Sequence, residues 1–290
     1  MLLVTHNGKF HADDVFGTAL MLQLYPEADV VRTRDETVIA DADVVYDLGG
    51  VFDAEKRRFD HHQQGSPVRD NGIIYSGFGL LWRHYGREFC DGDENVWRLI
   101  DEQFVQQIDA EDNGQTLSTA TDFAVLPVSI STVIGYYNPS GSATDEERYL
   151  AFMEAVHAAT EVLLKLRAQM VVEQAAIDTF ATQYAASPDK RYAVLGTYIS
   201  ADVVAEANPE LEFIIFPDET LQAWRVRAVP DVAGSFAVRR RFPESWRGLR
   251  DAEMAKASGV SSAIFCHKAG FLAVAQTKEG ALDLLAKALE

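Results

Sequence analysis

Short apolar runs alternate with polar turns over the first third of the chain. MLLVTH reads as a buried strand ending in polar side chains, and Asp14 to Tyr25 as a helix. ADVVRTR (residues 28–34) reads as a second strand, and ADVVYDLGG (residues 42–50) as a third, stopped by Gly49-Gly50. Strands separated by a helix or a long connection predict a parallel α/β sheet, whose ligand site lies beyond the carboxyl ends of the strands. His6 follows the first strand, Arg32 and Arg34 lie in or after the second, and Asp47 follows the third.

The periodicity turns helical from Ser76 to Gly86 and from Glu94 to Asp109. NPSGSATDEE (residues 138–147) breaks the pattern, and Thr144 with Glu147 has capping-box spacing. Phe152, Val156, Ala159, Leu163, Leu166 and Met170 then recur three or four residues apart, one face of a long helix. That face serves either as a packed connector or as the seam of a homodimer. Beyond Ser187-Pro188-Asp189 the texture becomes strand-rich, in YAVLGTYI, LEFIIFPD, QAWRVRAVP and SAIFCHKAGFLAVAQT, and EGALDLLAKALE closes the chain as a helix. The expected organisation is an N-terminal α/β domain with a parallel sheet over residues 1–137 and a linker with a long connecting helix over 138–187. A smaller C-terminal α+β domain follows over 188–290.

The 290 residues are 48% apolar and 24% charged, an ordinary globular composition. No apolar run reaches the roughly 20 residues that span a bilayer, and the opening MLLVTHNGKFHADD lacks the apolar core of a secretory signal. Cys90 and Cys266 are the two cysteines, too few for a disulfide framework or a four-cysteine zinc site, so a reducing cytoplasm is expected. Lys plus Arg number 26 and Asp plus Glu 44, a formal charge of −18 that repels duplex nucleic acid in general. An enzyme that draws one phosphate chain into a cleft with metal ions and a local basic patch remains compatible with that charge.

Five of the seven histidines fall in the first 112 residues, which also hold four clusters of acids and imidazoles. These are His6-x4-His11-x-Asp13-Asp14, Asp47-Leu48-Gly49-Gly50, Asp60-His61-His62, and Asp109 with Asp112. Singly each has a bland reading: Asp13-Asp14 suits the positive end of a helix, Asp47 a Gly-Gly turn, Asp109 and Asp112 a solvated helix end. Together they fall where an α/β sheet exposes its loops. Imidazole with carboxylate suits Mn, Fe, Co or Zn, and several carboxylates at one place imply more than one cation. Two ions about 3.5–4 Å apart suit in-line displacement at phosphorus.

Asp60-His61-His62, preceded by Arg58-Phe59 and followed by Gln63, resembles the signature of the DHH phosphoesterase superfamily. THNGKFHADD, VRTRD, VYDLGGVFD, RFDHHQ and IDAEDNG come in the order of its Myg (melanocyte-proliferating-gene) branch, and the likeness resumes at WRVRAVP, PESWRGLRD, SGVSSAIFCHKAGF and TKEGAL. The resemblance implies a DHH-type metal-binding domain, a substrate-facing C-terminal domain and 3′-to-5′ exonuclease activity on RNA. It further implies two divalent ions, manganese first, with Mg, Co or Zn as alternatives. Residue by residue, it makes His6, His11 and Asp13 the first ligand group, with Asp47 bridging, His61 on one metal and Asp109 completing the second. His62 would face the scissile phosphate and Asp60 would orient an imidazole.

Two positions depart from the pattern. Most of the superfamily carries carboxylates four and six residues after the first histidine, where this chain has Phe10 at four and His11 and Asp13 at five and seven. Which of His11, Asp13 and Asp14 touches metal is left open. Ala273-Val274-Ala275 stands where many Myg relatives have Gly-Gly-His. As replacements, seven arginines between Arg225 and Arg250 face only Asp231 and Glu244. Arg247 reads as a phosphate contact and Trp246 as a base-stacking residue, with His267 and Arg34 as further substrate contacts. The bland alternatives are a solvated strand edge and a core histidine.

The expected function is hydrolysis of phosphodiester bonds in single-stranded RNA or short oligonucleotides. A phosphatase or pyrophosphatase acting on small nucleotides is the second reading, and a non-catalytic metal- or nucleotide-binding protein the third.

Overall fold

The computed structural model describes residues 1–118, 125–232, 234–235 and 237–290. Met1–Val171 and Val172–Glu290 form two compact units.

In the first unit β1 (Leu2–Thr5), α1 (Ala12–Leu24), β2 (Asp29–Arg32), α2 (Glu36–Asp41) and β3 (Val44–Tyr46) follow the sequence pattern. A hairpin the pattern did not reveal comes next, β4 (Phe52–Asp53) and β5 (Arg58–Phe59), because two-residue strands carry no alternation to read. The sheet order is β2-β1-β3-β5-β4. β1 pairs parallel with β2 and β3, and β3 with β5, while β4 runs antiparallel on the edge. Parallel strands need both faces covered. On one face Val4 and Val45 pack with Leu2, Val31, Val38 and Ile39, the last two supplied by α2.

α1 is buried from Ala12 to Met21, as a helix apolar nearly all round must be. It packs against α3 (Gly77–Phe89), with the rings of Phe16 and Phe78 at 5.7 Å. α4 (Glu94–Ile100), a π-helical turn (Asp101–Val105) and α5 (Gln106–Asp112) run without a break. After α6 (Ile130–Gly135), α7 extends over Asp145–Ala186, its start closed by the Thr144–Glu147 capping box. Burial follows the periodic stripe: Phe152, Val156, Ala159, Leu163 and Met170 are buried, and Leu166 partly so. Phe152 meets Phe10 edge to face at 5.6 Å.

The second unit begins within α7, where Phe180, Ala176, Ile177 and Tyr184 join its core. β6 (Tyr192–Val194), α8 (Ala201–Ala205), β7 (Phe213–Asp218), β8 (Ala223–Ala228), α9 (Asp251–Ser258), β9 (Ala263–Cys266), β10 (Leu272–Ala275) and α10 (Lys278–Leu289) follow. The sheet order is β6-β7-β8-β10-β9, parallel only between β6 and β7. Alternation splits its two faces. Phe213, Ile215, Val226, Ala228, Ala273 and Ala275 enter one core with Met254 of α9 and Leu284 of α10. Ile214 and Phe216 enter the other core with Val204 of α8 and Phe180. No described helix is long and apolar enough to cross a membrane.

Candidate metal centre

The centre forms at the carboxyl ends of β1 and β3, where the three polar clusters of the first 62 residues meet the end of α5. Asp47 stands in the middle. Its φ of 52° puts it in the left-handed region, which Asp adopts more readily than most residues, and its backbone N–H donates to Phe59 O at 3.1 Å. His6 Nε2 lies 3.1 Å from Asp47 Oδ2, and His61 Nε2 lies 3.3 Å from Asp47 Oδ1. His6 Nε2 also lies 3.4 Å from Asp14 Oδ2, and His61 Nε2 lies 3.3 Å from Asp112 Oδ2 and 3.9 Å from Asp13 Oδ2.

The hydrogen bonds behind these rings fix their tautomers. His6 Nδ1 donates to Asn7 O at 2.9 Å. His61 Nδ1 donates to Asn113 Oδ1 at 3.3 Å, and the Asn113 amide is oriented by donating from Nδ2 to Ile74 O and Asp109 O. Both Nε2 atoms therefore present lone pairs to carboxylates unless a second proton or a cation lies between.

Burial sharpens that requirement. Among the described residues both Asp13 oxygens, Asp14 Oδ2 and His61 Nε2 are buried without a hydrogen-bond partner. Burial pushes Asp13 well above the usual carboxylate range, reinforced by the charges of Asp47, Asp112 and Asp14. Burial raises Asp14 to about 7, with Asp47 adding and His6 and Arg32 opposing. Asp112 is raised by burial and by Asp47. Burial opposes ionisation of Asp47 too, but the closeness of the His6 and His61 imidazoles outweighs it and holds its pKa far below the usual range. His6 and His61 are raised in turn, burial being outweighed by Asp47 and the neighbouring acids. Without cations the cluster must take up protons instead.

Three groups of donors among the described residues could hold metal ions: Asp47 with Asp60, His61 and His62; His6 with Asp14 and Asp47; and His11 with Asp13 and Asp112. The orphaned oxygens and aimed lone pairs fit divalent cations. Asp14 does two jobs: Oδ1 accepts from His11 N–H at 2.8 Å and caps α1, while Oδ2 faces His6 and Arg32. Asp13 and Asp14 thus serve both the helix start and the cluster.

Asp60 lies behind the centre, buried. It accepts from the backbone N–H of Gly50 and, at 2.8 Å, from the N–H of His61 and from His62 Nδ1. His61 is buried and the side chain of His62 is 63% exposed, although their ring centroids lie only 4.3 Å apart. A cavity of about 750 Å³ is lined by His6, His11, Asp47, Asp112, His62 and the exposed Arg34.

The expected ligand Asp109 is placed elsewhere. Its Oδ1 accepts from Ser76 N and Oγ at 3.0 and 2.7 Å, and its Oδ2 accepts from Arg69 Nε and a terminal nitrogen at 3.0 and 2.7 Å. No lone pair is left over for a metal, and Asp112 faces the cluster instead. The pair at i and i+3 was visible in the sequence, but which one Arg69 would claim was not. Nothing in the sequence pattern marks Gly77 and Gly79. A Cβ on Gly77 would lie 2.9 Å from Asp47 Cβ, and one on Gly79 would lie 2.2 Å from Asp109 Oδ1, so only glycine lets the start of α3 approach both acids.

The C-terminal expectations fare differently. Trp246 is buried and stacked on Phe242 with ring centroids 6.1 Å apart, so it has no free face for a base. Arg247 Nε donates to Phe242 O at 3.0 Å, and Arg239 donates to the carbonyls of Asn208, Leu211 and Ala205. Arg225 pairs with Asp218, Arg240 with Glu212, Arg241 reaches Ala269 O, and Arg250 lies over the Phe265 ring. Six of the seven arginines are held within the fold, a use that charge counting cannot distinguish from a phosphate patch. His267 is partly buried, with Nδ1 accepting from Ala269 N–H and its ring 4.4 Å from that of Phe271.

Fold and donor set together define a mixed α/β protein whose histidines and acids could hold metal ions. The chain belongs to the MYG1 family: the model of MYG1_exonuc, an uncharacterised protein family (UPF0160), matches residues 2–289. It is 32% identical over 321 residues to the human MYG1 exonuclease, covering 97% of this chain and 83% of that one. A Caenorhabditis elegans MYG1 protein is 31% identical over 329 residues, covering 100% and 95%. A Chlamydia pneumoniae MYG1 protein is 32% identical over 289 residues, covering 95% and 92%.

Proposed function

We propose that this chain is a metal-dependent phosphoesterase of the DHH type. It cleaves phosphodiester bonds from the 3′ end of single-stranded RNA or short oligonucleotides. The observation that carries this reading is the approach of two buried imidazole Nε2 atoms to the two oxygens of one carboxylate, Asp47, with Asp13, Asp14 and Asp112 around it. The exonuclease name of the human relative supports the substrate class.

His6, Asp14 and Asp47 would hold one ion, and His11, Asp13 and Asp112, with His61 beside them, a second. Manganese suits the mixed donor set, and Mg, Co and Zn are the alternatives to screen. Bound divalent ions supply Lewis acidity to a phosphoryl group and to water. The chain does the rest. Asp60 fixes the His62 ring through Nδ1, leaving Nε2 of this exposed residue to hold or release a proton at the leaving oxygen. Arg34, exposed on the cavity wall, meets phosphate charge.

Hydrolysis of small nucleotides is the second reading, favoured by one observation: the arginine segment is used up inside the fold, so no extended phosphate track is evident there. Metal-stripped protein, reloaded with each ion and given a 5′-labelled oligoribonucleotide, a dinucleotide and pyrophosphate, separates the two. Stepwise shortening of the labelled RNA supports the exonuclease. Cleavage of pyrophosphate alone supports the second reading, and metal-independent cleavage or none overturns both.

A further inference from the structure

Part of one face of the second sheet borders a cavity. Arg227 pairs across the strands with Leu272 and Ile214, and Arg225 with Val274 and Phe216, so all six share one face. Ile214 and Phe216 are covered by the core of α8 and the end of α7, whereas both arginines and Leu272 border an open cavity of about 640 Å³. Tyr198, its ring 4.9 Å from that of Phe216 and 47% exposed, forms one wall, and Phe271 lies on another side. Asp218 and Glu219 also line the cavity, and the Asp218 carboxylate is paired with Arg225. Arg227 makes no ion pair among the described residues, and its one hydrogen bond runs from a terminal nitrogen to Tyr198 Oη at 3.3 Å. A guanidinium with no ion pair among the described residues, held by the Tyr198 hydroxyl at the edge of a cavity, is unusual in a chain of charge −18. It has the parts of a site for an anion carried on a flat ring.

We propose that this cavity binds one nucleoside monophosphate unit, the base against Tyr198 and Phe271 and the phosphate on Arg227. The ligand's identity as a piece of substrate or product rests on the phosphoesterase reading; the site itself does not. Stacking on an aromatic ring suits any base, so the site selects nucleotides without selecting sequence.

The test is calorimetry on the full chain in EDTA, titrated with adenosine monophosphate, adenosine and inorganic phosphate. Adenosine monophosphate is expected to bind. Tyr198→Ala and Arg227→Ala should each weaken it about tenfold or more, and Tyr198→Phe, which keeps the ring, should restore most of the loss. Adenosine should sense Tyr198→Ala and not Arg227→Ala, and phosphate the reverse. Asp47→Ala should bind adenosine monophosphate as the parent does. Absent binding, or binding indifferent to both residues, overturns this site, while metal-dependent hydrolysis lost in Asp47→Ala would leave the phosphoesterase reading standing. Binding that depends on both residues, in a chain that hydrolyses no phosphoester with any metal, keeps the site and removes that reading.

Discussion

Asp109 and Asp112 lie three residues apart on α5, yet Asp112 Oδ2 stands 3.3 Å from His61 Nε2 while Asp109 is closed off by Arg69 and Ser76. The two acids should fail differently. Asp112→Asn should lower metal content and leave thermal stability near the parent's. Asp109→Ala should retain metal but lose about 1–3 kcal/mol, because Ser76 and part of the Arg69 guanidinium, which keeps its pair with Asp101, are left buried without their acceptor. Elemental analysis and chemical denaturation check both. Loss of metal in Asp109→Ala without loss of stability would reverse the assignment.

Metal removal should change how stability depends on pH. Asp14 has a folded pKa of about 7, above its usual 3.8, so the folded state holds that proton more tightly than the unfolded state does. Ionising it in the folded protein is therefore penalised, and the penalty grows as pH rises from about 4 to 7. Asp13 and Asp112 act in the same direction. Asp47 works oppositely, but its contribution is already complete above pH ~5. In EDTA the melting temperature should fall from pH 5 to 8, and saturating Mn should flatten the curve. Parallel curves would count against cation binding by these acids.

His61 and His62 should separate binding from turnover. His61→Ala should reduce metal affinity. His62→Ala should keep metal content and cut kcat by about 10²–10⁴-fold, removing one limb of the pH–rate profile. An unchanged profile in His62→Ala would take the proton-transfer role away from it.

The start of α3 should tolerate no side chain. Gly79→Ala puts a methyl 2.2 Å from Asp109 Oδ1, and the shift needed should cost about 1–3 kcal/mol or more. Gly77→Ala, 2.9 Å from Asp47 Cβ, should displace Asp47 and be read more clearly in metal affinity than in stability. Calorimetric metal titration beside thermal melts distinguishes them, and two variants that behave like the parent would show that α3 can retreat.

Hydrophobic periodicity by itself determined β1 to β3, α1, the long stripe of α7 and the four strand-rich segments of the second unit, since alternation and 3.6-residue spacing state which faces are buried. It also located the acids and imidazoles at the strand ends. Only tertiary structure decided which partner each polar group meets. Arg69 claims Asp109 and so leaves Asp112 for the cluster; Phe242 claims Trp246; backbone carbonyls claim Arg239 and Arg247. The two-residue strands β4 and β5 exist because β3 offers them an edge. A residue's type sets what it can bond to, but a bond needs a partner within about 3 Å, and such proximity between residues 40 apart in the chain, as for Arg69 and Asp109, arises only on folding.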